Sequence, residues 1–371
     1  MRFAASRRAT IRWPLTARIA GAVWTVALTA FLAACQTDGV EVLDLAPEPS
    51  APVETVGSGA TRIAILLPAD SAAASATGDA ARLAVQDLGS DAVTAVLYAG
   101  YPGTLTGAQI AAVAKSAGGV VAIGPPAANR IPFALASGGA YEFRLTEADS
   151  AVAGVVGAAG SRAAAVALLV AETPAATGIE QLVADRVAVF GGRVVASARF
   201  GDDGASVDAA VARLASAEKA DIVLITGGRA SPAAVIAALR SKAVAGRATK
   251  IVGTDAWPDA ARGDKASEGV YIATLDRGEL GPMAARYKAV YGREPDLQAA
   301  YVYDLVALSV GLTRTLGTSA FDRRVIENEK GFRGSTGVFR FRADGGNERL
   351  LALYRLRGGS LRLDRKALPS F

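Results

Sequence analysis

The sequence predicts an α/β chain folded as two doubly wound parallel-sheet lobes. Two observations carry this. Short apolar runs alternate with stretches of helical spacing, and the alternation passes through two successive blocks of similar size. The length, 371 residues, is too great for one small domain and suits two lobes. Apolar residues make up 51% of the chain, many of them Ala, so a core of useful size can form.

The first block opens with RIAILLP (62–68), a buried strand stopped by Pro68. Residues 72–89 form a helix, with Ala80, Leu83, Ala84, Val85 and Leu88 on one face. AVTAVLYAG (92–100) is a strand, 105–117 a helix, and GGVVAIGP (118–125) a strand closed by Gly-Pro. The second block repeats the plan. Strands fall at 164–170, 193–200, 221–228 and within 249–257, and helices at 177–190, 206–219 and 231–243. Two lobes of this kind hold a ligand between them, at the carboxyl ends of the strands. Residues 281–291 and 297–317 are helices. The stretch 338–363 alternates apolar and polar residues around Gly-Gly breaks and predicts a small antiparallel meander.

Composition excludes much chemistry. With no His, neither a Ser-His-Asp triad nor a His-ligated metal can form, and one Cys permits no internal disulfide. No phosphate-binding GxxxxGK[ST] loop and no GxSxG elbow occurs. No nucleophile–base pair or metal cluster stands out, so no catalytic residue, cofactor or metal is expected. The net charge of +5 equals the five Arg of residues 1–34 (Arg2, Arg7, Arg8, Arg12, Arg18), where there is no acid. The rest is neutral overall, which argues against a nucleic-acid partner.

Those arginines precede the uncharged run IAGAVWTVALTAFLAA (19–34), then Cys35 and a polar stretch. A basic start, a short apolar run and small residues before a cut describe an export signal. The run is shorter than the roughly 20 residues of a membrane span. Leu32-Ala33-Ala34-Cys35 resembles a bacterial lipobox. The resemblance implies cleavage before Cys35, acylation of Cys35 and a periplasmic, lipid-anchored protein. Gln36 after the Cys implies outer-membrane sorting. Residues 35–60, with three Pro and a Gly-Ser-Gly end, are expected to be a lipidated, disordered linker.

The order of elements resembles a type I periplasmic binding protein of the Leu/Ile/Val-receptor kind. RIAILLP resembles the family's first strand, VVAIGP its Gly-Pro turn, and YEFRLTEADS (141–150) its first crossing between lobes. IVGTDAW (251–257) and EGVYIAT (268–274) resemble the second crossing region. The most specific likenesses are YKAVYGREPDLQAAYVYDLVAL (287–308) and GFRGSTGVFRFRADGG (331–346). The resemblance implies two lobes joined by three crossovers: lobe one at 61–144 and 274–330, lobe two at 145–273 and 331–371. Within this group, FRFRADGGNERLLALYRLRGG (339–359) and the tail ALPSF resemble penicillin-binding protein activators, lipoproteins that regulate peptidoglycan synthases. That implies a non-enzymatic regulator whose partner is a peptidoglycan synthase. The alternative is the solute-binding receptor of an ABC transporter, whose partners are a permease and a branched-chain amino acid or related small molecule.

The chain departs from the receptor pattern after Gly124-Pro125-Pro126, which leads to Phe143-Arg144 in fewer than 20 residues. A helix and part of the carboxylate-binding loop are thereby expected to be missing. Glu172-Thr173-Pro174 stands where an aromatic is expected. The candidate cleft residues are Asp70, Ser71, Pro126, Glu172, Thr226, Asp255 and Trp257. Asp255 falls near the acid that resembling receptors use for a ligand ammonium, and also suits a helix cap. Trp257 suits a cleft wall or packing between lobes. Thr226-Gly227-Gly228 offers backbone N–H groups to an anion, or simply a tight turn. Asp70 and Ser71 follow the first strand, where a cap is the other reading. GVVGAAG (154–160) suits close helix packing, and Asp304 a tie to backbone. A receptor should bring Asp70, Pro126, Glu172, Thr226 and Asp255 together.

Overall fold

The computed structural model describes residues 50–127, 130–160, 162–246 and 248–371. The expected signal peptide and the expected lipidation site, Cys35, lie outside the described residues.

The chain enters the first lobe through β1 (Pro52–Val56), β2 (Thr61–Pro68), α1 (Ser71–Leu88), β3 (Val93–Tyr101), α2 (Gly107–Ser116), β4 (Val121–Ile123), β5 (Arg130–Leu135) and β6 (Ala140–Arg144). The sheet order is β1-β3-β2-β4-β5-β6. β3, β2 and β4 run parallel, as continuous apolar runs buried on both faces require. α2 starts with a reciprocal cap: the Thr106 hydroxyl accepts from the Gln109 N–H and the Gln109 side chain accepts from the Thr106 N–H.

One expectation needs correction here. Residues 50–60, read as part of the linker, belong to the folded body. β1 pairs antiparallel with β3, Val56 opposite Ala95, and the Ser50 N–H donates to the Tyr101 hydroxyl at 3.3 Å. The open edge of β3 carries unpaired backbone groups, and the nearest extended segment satisfies them. The short connection after Pro126 is a hairpin, β5–β6, anchored by Phe133 and Phe143, both 0% exposed.

The second lobe contains α3 (Glu147–Ala159), β7 (Ala165–Ala171), α4 (Ala176–Val189), β8 (Arg193–Phe200), α5 (Gly204–Ala215), β9 (Ile222–Ile225), α6 (Pro232–Ser241), β10 (Lys250–Gly253), α7 (Asp259–Gly263) and β11 (Tyr271–Thr274). β8, β7, β9, β10 and β11 form a parallel array in the order β11-β10-β9-β7-β8. The glycines of GVVGAAG let α3 sit close on this sheet. A Cβ on Gly154 would stand 2.7 Å from a Val252 methyl.

The chain then returns to lobe one with α8 (Arg277–Tyr291), α9 (Leu297–Leu316) and α10 (Arg323–Ile326). The sequence meander divides into two parts. β12 (Phe332–Gly334), β13 (Gly337–Phe341) and β14 (Asn347–Arg349) form a separate three-stranded sheet. Its Phe339 and Phe341 enter the first-lobe core with Phe133, Tyr141 and Phe143. β15 (Ala352–Arg357) extends the second sheet antiparallel to β11, and β16 (Ser360–Arg365) follows antiparallel to β15. The assignment of all of 331–371 to lobe two is therefore corrected. Two phenylalanines at i and i+2 point to one face, and that face is claimed by the aromatic cluster of lobe one. The chain passes between the lobes three times, from β6 to α3, from β11 to α8 and from β14 to β15.

Candidate ligand-binding cleft

The carboxyl ends of the parallel strands of both lobes define where a ligand would sit. In lobe one, Asp70 follows β2 and is exposed, but its carboxylate accepts from the Ala73 N–H at 2.8 Å and caps α1. Ser71 is the exposed first residue of α1, and Pro126 is buried after β4.

In lobe two the strand ends are tied to the first turn of α3. Thr146 and Asp149 form the reciprocal cap that starts this helix. The Glu147 carboxylate then accepts from the Gly227 N–H beyond β9 and from the Thr254 hydroxyl beyond β10, the latter at 2.7 Å. The buried Ser150 hydroxyl donates to the Ala273 carbonyl of β11 at 2.6 Å and accepts from the Asp255 N–H at 2.8 Å. One helical turn thus engages three neighbouring strands.

The sequence candidates in this lobe are largely committed. The Thr226 hydroxyl, 2% exposed, accepts from the Ala171 N–H at 2.7 Å. Trp257, 1% exposed, lies in the lobe-two core and its indole N–H donates to the Ile225 carbonyl. Glu172 is exposed and lines a depression of about 690 Å³ with Glu180 and Arg199, at the β8 edge. Asp255 is half-buried and meets Arg262, which donates to its carbonyl at 2.5 Å and reaches its carboxylate at 3.5 Å. Asp255 and Thr226 come to one end of the sheet. Glu172 is turned to another edge, and Trp257 lies beneath.

The first and third crossings meet at a buried guanidinium. Arg349, 5% exposed, stacks on Phe143 and Tyr301 with centroid distances of 4.1 and 4.6 Å. Its Nε donates to the Arg144 carbonyl at 2.8 Å, and the Arg144 N–H donates to Asn347 Oδ1 at 2.9 Å. One turn along α9 from Tyr301, Asp304 accepts from the N–H and hydroxyl groups of both Ser335 and Thr336. The tie to backbone expected of Asp304 is present. Gly334 is needed beside it, because a Cβ there would stand 2.5 Å from the carboxyl carbon. Burial raises the Asp304 carboxyl above its ordinary range despite those donors, lowers the Arg349 guanidinium, and pushes the Tyr301 phenol up to about 12. Tyr301 Oη, Arg349 Nη2, Asn347 Nδ2 and Arg262 Nε are buried polar atoms without a hydrogen-bond partner among the described residues.

Glu147, Ser150, Arg262, Tyr301 and Arg349 were not singled out in the sequence. An acid in a first helical turn reads as an ordinary partner of the helix dipole. An isolated Arg in a strand gives no sign of burial.

The family model for periplasmic binding proteins matches residues 73–360. No curated protein matches the chain. Among solved structures, a putative branched-chain amino acid ABC transporter protein from Rhodospirillum rubrum is similar at 18% identity and a TM-score of 0.62, covering 82% of this chain and 99% of its own. An ABC-type branched-chain amino acid transporter protein from Rhodopseudomonas palustris has 13% identity and a TM-score of 0.59, over 83% and 96%. A branched-chain amino acid ABC transporter periplasmic ligand-binding protein from Burkholderia xenovorans has 16% identity and a TM-score of 0.56, over 84% and 95%. At these identities the likeness is one of fold.

Proposed function

We propose, from the premise that the chain belongs to the periplasmic binding protein family, that it is the solute-binding receptor of an ABC transporter. It would hold a small molecule between its lobes and present the closed form to a permease. One observation carries this reading: two α/β lobes linked by three crossings, with their strand carboxyl ends at the junction. Such a body can close on a ligand by hinge rotation, with closure driven by contacts made only in the closed form. A branched-chain amino acid or related solute is the ligand class proposed, in line with what the similar structures are described as transporting. The reading includes cleavage before Cys35 and acylation of that residue, which would anchor the body at a membrane surface in the periplasm, the outer membrane being the sorting proposed from Gln36.

A second reading has its own support. Asp70, Thr226 and Trp257 each engage a polar side-chain atom within their own lobe, and Glu172 lines a depression at the β8 edge. That favours a regulator that docks on a peptidoglycan synthase, as penicillin-binding protein activators do, with no small ligand at all.

Thermal unfolding of the whole chain with a panel of amino acids, aromatic acids and muropeptides separates the two. A ligand at 100 times its Kd adds about 2.7 kcal/mol, a midpoint shift of several degrees. A shift with one solute, confirmed by calorimetric titration, supports the receptor. No shift across the panel, together with capture of a peptidoglycan synthase, supports the regulator and sinks the receptor.

A further inference from the structure

The far end of the second sheet, at the amino ends of β10 and β11, carries a row of cations that the cleft does not use. Tyr271 is the register partner of Arg355, and Arg355 is the register partner of Arg362. These three side chains therefore share one face across β11, β15 and β16. Lys250 joins them from β10, two residues before Val252, which is the partner of Tyr271. The guanidinium of Arg355 and the ammonium of Lys250 lie 5.1 and 5.9 Å from the centre of the Tyr271 ring. Beside the row is a depression of about 510 Å³ lined by Arg240, Lys250, Glu268, Gly269, Tyr271 and Arg355. Its one acid, Glu268, accepts from the Gly358 N–H.

The depression holds an excess of cations, Arg240, Lys250 and Arg355 against the single acid Glu268. No ion pair among the described residues includes Arg240, Lys250, Arg355, Arg357 or Arg362. Like charges directly opposite on neighbouring strands repel, and Arg355 and Arg362 are directly opposite. Lys250 and Arg355 are held in place by neutral acceptors, the carbonyls of Ala158 and Gly269, which fix their positions without cancelling charge. Arg362 is exposed. A guanidinium held beside an aromatic platform, with a second Arg directly opposite it, suits a phosphate group, whose oxygens accept from two Arg forks at once.

We propose that this face is a binding site for a phosphate-bearing anion. Arg355 and Arg362 grip the phosphate, Lys250 and Arg240 add charge, and Tyr271 forms the floor. The site lies at the opposite strand ends from the cleft, so it is independent of what the cleft binds. The phosphate can belong to a soluble phosphorylated molecule or to a lipid headgroup.

The test uses the whole chain with two probes. Pyrophosphate binding is measured by calorimetric titration, and sedimentation with phosphatidylglycerol vesicles is compared with phosphatidylcholine vesicles. Each is repeated at high salt and with Arg355→Gln/Arg362→Gln and Arg362→Glu. Binding to pyrophosphate assigns a soluble ligand. A preference for phosphatidylglycerol without pyrophosphate binding assigns a headgroup. In either case the double variant should bind about tenfold more weakly, and salt should weaken binding. Arg362→Glu should lose the anion while raising the unfolding midpoint, because it faces Arg355 with opposite charge. Binding to neither probe overturns the proposal, as does binding that neither variant changes.

Discussion

Arg349 and Asp304 are joined through a single hydroxyl. Arg349 Nη1 donates to Thr336 Oγ1 at 3.1 Å, and that hydroxyl donates to Asp304. The two charges come from different elements, β14 and α9, and the link between them passes through the turn that joins β12 to β13. Around it stand the rings of Phe143, Tyr301 and Phe339.

Arg349→Ala should cost about 3–5 kcal/mol, since it opens a hole among three rings and leaves the relay to Asp304 broken. Arg349→Met fills most of that volume with a flexible apolar chain and should cost less than half as much. Urea midpoints of the two variants check this. Equal losses would mean that charge, and not volume, dominates at the site.

The raised pKa of Asp304 gives stability a definite pH dependence. The folded state holds the proton more tightly than the unfolded state, whose value is near 3.8. The contribution is therefore fully present below that value and is lost as pH rises through the folded pKa. Asp304→Asn removes this term. Denaturation curves from acid to neutral pH should show a decline in the natural chain that is absent in the variant. A variant that follows the natural profile would rule out Asp304 as the source.

Glu147→Ala should destabilise by about 2–4 kcal/mol, because the Gly227 N–H and the buried Thr254 hydroxyl then lack their acceptor. Glu147→Gln keeps an acceptor oxygen and should lose less. The same pair should separate in hydrogen exchange, with the amide of Gly227 deprotected in the alanine variant alone.

Much of the fold was legible because it rests on local pattern. Runs such as RIAILLP and VVAIGP show strands, and the spacing of Leu83, Ala84 and Val85 shows a helix that packs. Three things escaped. β1 is recruited by the edge of β3, and PVETV has no buried face of its own to announce it. The division of 338–363 depends on which aromatic cluster receives Phe339 and Phe341, a contact across some 200 residues of chain. The ties from Glu147 and Ser150 to three strands depend on how α3 is laid over the sheet. For the proposed cleft, the sequence placed its candidates at strand ends and could not tell an engaged side chain from a free one. Thr226 and Trp257 are polar or aromatic at the expected place, yet their donors and acceptors close within the lobe.

The three crossings set how the two lobes can move. A body joined at one point can swing, twist and slide. Joined by three short strands, it keeps a single easy rotation about the line through them, as a door does on three pins. Arg349 and Asn347 tie the first and third pins together, one donating to the Arg144 carbonyl and the other accepting from the Arg144 N–H, so relative shear of those strands is resisted as well. On the proposed hinge closure, opening angle would be the easiest motion, and a ligand or partner reading the state would read chiefly that one coordinate.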